Sequence, residues 1–218
     1  MKKTVIYLFS ILIVSATLSS CAKTNANKLS GDWTISSLSD VSTSIDNSGT
    51  STTTVTINGT ILTVNDEDPN GSNISTGLVN SASMTFEKDG TWSRTLSYTI
   101  DFSGTGFTAS VTNATNDSGT WSFVGKNKSA ELKANDRIVL STLSSTGVET
   151  TSYTMAGVTT TEENNSSNTY SEGENTETLL VESSTKSELI VSANENNVST
   201  YNGETTINTK ISSWTLTK

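Results

Sequence analysis

The sequence predicts an all-β domain, an antiparallel up-and-down meander that closes into a barrel, with a β-sandwich as the alternative. Three observations predict it. Thr, Val, Ile and aromatic residues, which suit a pleated surface, recur in short runs. Clusters of Gly, Asn, Asp and Ser separate those runs. No long segment carries the 3.6-residue apolar period of a helix. Instead Trp92, Leu96, Tyr98, Ile100 and Phe102 alternate with Ser93, Thr95, Ser97, Thr99 and Asp101. One face of that strand is therefore apolar and the other solvated.

Composition narrows the function. The chain has 218 residues, a formal net charge of −9, one cysteine, one proline and no histidine. Its length suits one all-β domain, and a hydrophobic share of 32% implies a lean core. Without histidine there is no Ser-His-Asp or Cys-His catalysis, no His-ligated zinc and no histidine pH switch. The acidic balance argues against a nucleic-acid partner, which needs a basic face. No carboxylate pair has a glycosidase spacing or an apolar setting, and no Gly-rich loop opens a helix to cradle phosphate. The expectation is a protein that is not an enzyme and carries no cofactor.

The N-terminus reads as an address. Lys2 and Lys3 precede an apolar run from Val5 to Ala16, too short to span a bilayer comfortably. Leu18-Ser19-Ser20-Cys21 follows, and it resembles a bacterial lipobox. The resemblance implies cleavage before Cys21 and diacylation of its thiol. Several acyl chains give stable anchoring where one would be marginal. Residues 1–20 are thus a signal peptide, 21–28 a polar lipidated tether, and 29–218 a single β-domain. The mature chain has 198 residues and no thiol left for a disulfide. No aspartate follows Cys21 and no Lys-acidic-acidic export signal is present. By resemblance to known sorting signals this places the anchor in the outer membrane, facing the periplasm.

Turn residues and apolar runs place strands near 31–41, 53–64, 81–87, 91–102, 106–113, 119–125, 129–141, 147–157, 177–183, 187–193 and 205–217. Between the third and fourth, a two-residue turn puts the apolar faces out of register. A three-residue loop, Lys88-Asp89-Gly90, pairs Phe86 with Trp92 and Ala82 with Leu96, with Gly90 left-handed. The next turn, Ser103–Gly106, is expected to pair Phe102 with Phe107 and Tyr98 with Val111. Residues 159–178 hold five glutamates among Asn, Ser and Thr, and are expected as a mobile acidic loop. Ser42 to Thr54 is a milder version of the same composition.

Three groups of residues carry candidate chemistry. Asp66, Asp68 and Asn70 stand at positions 1, 3 and 5 of a calcium-loop pattern with Gly71 at position 6. Position 12 is Gly77 rather than the bidentate glutamate, and Pro69-Asn70-Gly71 also reads as a plain turn. Arg94 lies on the apolar face opposite Met84, where a lone guanidinium needs a carboxylate, an exit to water or a ligand. In a barrel it would clamp the carboxylate of a fatty-acid-like molecule, with Trp92, Leu96, Tyr98 and Ile100 lining the space. Alternatively it snorkels to the rim. Trp33, Trp92, Trp121 and Trp214 all fall at inward-facing positions and are expected in the core.

Leu29-Ser30-Gly31-Asp32-Trp33 resembles the Gly-x-Trp that opens a lipocalin. Met84 to Trp92, with its Phe, turn and Asp-Gly-Thr-aromatic order, and Ser118-Gly119-Thr120-Trp121-Ser122-Phe123 extend the likeness. Together, over about 29–141, they resemble the small lipocalin-like lipoproteins of Bacteroidota. The resemblance implies a lipocalin-like barrel and a small apolar ligand; the alternative is a structural or adhesive β-sandwich lipoprotein whose Thr/Asn-rich loops meet a partner protein or a glycan. The resemblance also implies a late cation across the first-strand Trp, a place it gives to Lys210.

Overall fold

The computed structural model describes residues 27–125, 136–201 and 204–218. Cys21 and residues 1–20, the expected signal peptide, lie outside them, as does the start of the strand expected at 129–141.

Eleven strands follow a helical turn at 27–29. They are β1 (Gly31–Asp46), β2 (Gly49–Asn58), β3 (Ile61–Asp68), β4 (Gly71–Phe86), β5 (Thr91–Gly104), β6 (Phe107–Val124), β7 (Asp136–Met155), β8 (Val158–Thr169), β9 (Thr176–Ser184), β10 (Glu188–Tyr201) and β11 (Glu204–Thr217). Ten of them hydrogen-bond in a closed antiparallel ring, and β8 lies outside it on β7. The fold is a β-barrel, as the sequence predicts, and not a sandwich.

The barrel has a closed end and an open end. At the closed end β1 pairs directly with β4, Trp33 opposite Met84. Further along, β1 and β4 part, and the β2–β3 hairpin fills the space between them. On the far side β9 and β8 lie end to end along one edge of β7, opposite Asp136–Ser141 and Ser144–Met155 respectively.

Burial follows this division. Trp33, Met84, Phe86, Trp92, Ile138, Leu140, Leu179, Leu189, Val191 and Leu216 are all at most 2% exposed, and all belong to the closed half. Each such side chain contributes about 1.5–3 kcal/mol by leaving water. All four tryptophans are in this core, as expected, with Trp121 edge-on to Phe86 at 5.1 Å. Leu29 plugs the closed end and its carbonyl accepts from Trp33 Nε1 at 2.7 Å. The cation across the Trp33 ring is Lys218, at 4.3 Å, and not Lys210.

The hairpin register is the face-matched one. Phe86 pairs with Trp92 and Ala82 with Leu96, and Gly90 has φ +92°. Gly90→Val should cost about 1–2 kcal/mol, because a β-branched residue resists that conformation. A urea unfolding midpoint unchanged by the substitution would contradict this.

Other expectations are corrected. The strand expected at 53–64 is two strands, divided at Gly59-Thr60. Those expected at 106–113 and 119–125 are one, β6, and 129–141 and 147–157 merge similarly into β7. Phe102 pairs with Ala109 and Tyr98 with Asn113, because a two-residue turn at Thr105-Gly106 shifts the register by two. Most of the acidic segment 159–178 is strand: β8 pairs with β7 along its whole length, and only 170–175 turns. The reason is common to all. Beyond the core, these strands are held by ladder bonds and by cross-strand hydroxyls such as Thr99–Thr112 at 2.9 Å and Thr154–Thr159 at 2.8 Å. They need no apolar face.

Candidate functional site

The top of the core is a layer of charge. Arg94 projects inward from β5, and the β5–β6 register sets Asp117 opposite it. Its Nε and Nη2 donate to Asp117 Oδ2 at 3.0 and 2.8 Å, while Nη1 lies 3.5 Å from Glu177 Oε2 on β9. Its guanidinium carbon is 5.8 Å from the Trp92 ring centre and 5.1 Å from that of Trp214. On the opposite wall Lys210 Nζ pairs with Asp40 at 3.2 Å, and Ser212 Oγ donates to the same carboxylate at 2.7 Å. A recess of about 130 Å³ lies between these groups, with Leu96 and Trp214 in its wall. Trp214 Nε1 is buried there without a partner, and a recess of that size and polarity has room for water.

Burial pushes the Glu177 carboxyl above its ordinary 4.5, Arg94 and Lys210 pull it back, and Glu195 and Asp40 push it up again. Only between about pH 4.5 and the raised native value does the native state keep a proton that the unfolded chain has released; above it the carboxylate pairs with Arg94. Its contribution to stability falls as pH climbs from about 4.5 through the native value, and returns in acid. The melting temperature of the wild type relative to Glu177→Gln should rise as pH is lowered through that window. A difference flat in pH contradicts the assignment.

Above this floor the open half has two unlike inner walls. One is polar. Ser42, Lys210 and Glu195 form a cross-strand row, and Ser44, Asn208 and Asn197 form the next. These rows line a groove of about 340 Å³. The other wall continues the inner face of β5 onto β6 and β7. Phe102, Ala109 and Tyr153 make one row, and Gly104, Phe107 and Met155 the next. Phe107 stacks on Tyr153 at 5.6 Å, and Phe102 and Tyr153 remain 42% and 38% exposed. Tyr98 sits lower on that wall, its phenol pushed up in pKa by burial and then by Glu149 in the same row.

The expected ligand residues therefore separate. Trp92 belongs to the core, Leu96 to the recess, and Tyr98 and Ile100 to the open wall. Arg94 has carboxylates on both sides rather than a free fork. Asp66 and Asp68 are on β3. Thr53 Oγ1 donates to Asp66, and Asp68 Oδ1 accepts from the backbone of Asn70 and Gly71, closing the hairpin turn. Among the described residues no three acidic or cysteine side chains gather to hold a metal, and no helix is long and apolar enough to cross a membrane.

Sequence reasoning missed Asp117, Glu177, Asp40 and the Asn197–Asn208 pair. The two-residue register error put Thr115 opposite Arg94 and hid Asp117. The charge pairing itself was the signal that selects the correct register. No known protein family, curated protein or solved structure matches the chain.

Proposed function

We propose that the chain is a lipid-anchored envelope protein with a lipocalin-like barrel, and that its open half binds a glycan without catalysis. The carrying observation is the cup with two unlike walls. A sugar has hydroxyls at its edge and an apolar C–H face. The Ser/Asn wall with Lys210 suits the first, and the exposed Phe102 and Tyr153 suit the second. The groove on the polar wall, about 340 Å³, is itself in the usual size range for small-ligand sites, and Phe102 lines a separate recess of about 300 Å³. The core below is filled by tryptophan and aliphatic side chains, which speaks against a buried fatty-acid-like ligand. The apolar reading keeps one support, the run of Tyr98, Ile100 and Phe102 up the same wall.

The binding test is calorimetric titration with a panel of oligosaccharides, beside a fluorescent fatty acid. Lys210→Met should weaken a bound oligosaccharide about tenfold, the loss of a hydrogen bond from a charged group at about 1.5 kcal/mol. Tyr153→Ala should also weaken it. Tight binding of the fatty acid and of no oligosaccharide would overturn the glycan reading.

Anchoring rests on Leu18-Ser19-Ser20-Cys21 and has its own test. A clickable fatty acid fed to cells should label the wild type and leave Cys21→Ser unlabelled. Equal labelling of both ends the lipoprotein reading.

A further inference from the structure

The ring has two seams at which antiparallel neighbours part toward the open end. At the first, β1 and β4 pair over Gly31–Thr34 and Ser83–Phe86, then separate. The β2–β3 hairpin enters there and bonds to both. At the second, β9 and β10 pair over Leu180–Ser184 and Leu189–Ser192. Beyond that point the space lies between β8 and the rest of β10. Among the described residues, neither has a strand partner on that side.

Strand direction decides what fits. β8 runs away from the open end and β10 toward it, the same opposition as β4 and β1. A single inserted strand must run parallel to one neighbour. A hairpin runs antiparallel to both, as β2–β3 does at the first seam. β8 is also exposed at all 12 of its positions. A bare strand of that length is an edge that proteins normally shorten, twist or cover.

We propose that the second seam is a docking slot for a β-hairpin of a partner protein, and that this hairpin is basic. Glu162 and Glu163 stand at the middle of β8 with side chains on opposite faces, and Glu195 stands on β10. Lys or Arg on either face of the incoming hairpin meets them. The same charges disfavour a second copy. Two chains joined antiparallel through β8 bring Glu162 and Glu163 of each together, on molecules that each carry a net charge of −9.

The probe is a synthetic hairpin of the chain's own β2–β3 sequence, Gly49–Asp68, carrying D66K, E67K and D68K. Its unaltered acidic form is the control. Hydrogen exchange of the full chain should show new protection on both Val158–Thr169 and Asn194–Ser199 with the basic hairpin. The basic form should bind at least tenfold more tightly than the acidic one. The exposed double variant Glu162→Gln, Glu163→Gln should erase most of that preference without altering the circular dichroism. Protection of β8 alone, equal binding of the two hairpins, or no protection with either at millimolar peptide overturns the proposal. So does a peptide-free chain that dimerises with β8 protected, because the occupant is then a second copy.

Discussion

Trp33→Ala should lower the unfolding free energy by about 3–5 kcal/mol, the cost of deleting a large buried aromatic. Three contacts end with the ring. It is 1% exposed beside Met84 at the point where β1 meets β4 and the barrel closes. Its Nε1 holds the carbonyl of Leu29, which plugs the closed end. Its face carries Lys218, whose Nζ also donates to Ser30 O at 2.8 Å. For a domain of this size, the melting temperature should fall by about 10 °C. Trp33→Phe should retain much of the stability, since it keeps most of the buried volume. A loss below about 1 kcal/mol for the alanine variant would mean that the closed end is held by something other than this packing.

The second large effect is at Arg94. Arg94→Met should cost about 3 kcal/mol, because it leaves Asp117 and Glu177 facing one another with no guanidinium between them. The site is partly open, with 27% of the arginine side chain exposed, so the figure belongs at the low end for a broken buried pair. Removing the carboxylates as well should restore most of it. The triple variant Arg94→Met, Asp117→Leu, Glu177→Gln should unfold within about 1 kcal/mol of the wild type, since apolar replacement of an ion cluster is often neutral. Denaturant titration of both proteins reads the difference. A single variant as stable as the wild type would show that the cluster contributes nothing to the fold.

The closed half of the barrel was legible in the sequence, and the open half was not. Trp33, Phe86, Trp92, Trp121 and Trp214 sit on strands with a buried face, so side-chain period reported their direction and register. Gly119 stands opposite Thr142 at a bulge in β7, where any Cβ would collide with the Ser141 carbonyl, and it too fell in a recognisable Gly-Thr-Trp run. Above the core both faces are Thr, Ser and Asn, so period carries no information there. β8 reads as a loop because it buries nothing, yet it is held by its ladder to β7. The β2–β3 hairpin did carry a signal, Asn58-Gly59 between β-rich runs, which is a hairpin turn by composition. The apolar residues on either side also join into one plausible strand, and that pattern masks the turn. Arg94 was correctly placed on the inner face, but its partners lie 23 and 83 positions away, and only the full ring brings them together.

With the closed half packed solid and recognition on the walls of the open half, a bound ligand should perturb those walls and leave the core unmoved. Amide chemical-shift mapping of the full chain during an oligosaccharide titration tests this most directly. Shifts are expected at Ser42, Asn197, Asn208 and Lys210 on one wall and at Phe102 and Tyr153 on the other, with Trp92, Leu140 and Leu189 unmoved. Shifts centred on those three core residues, whether from a sugar or from a fatty acid, would mean that the closed half opens to admit a ligand and would contradict it.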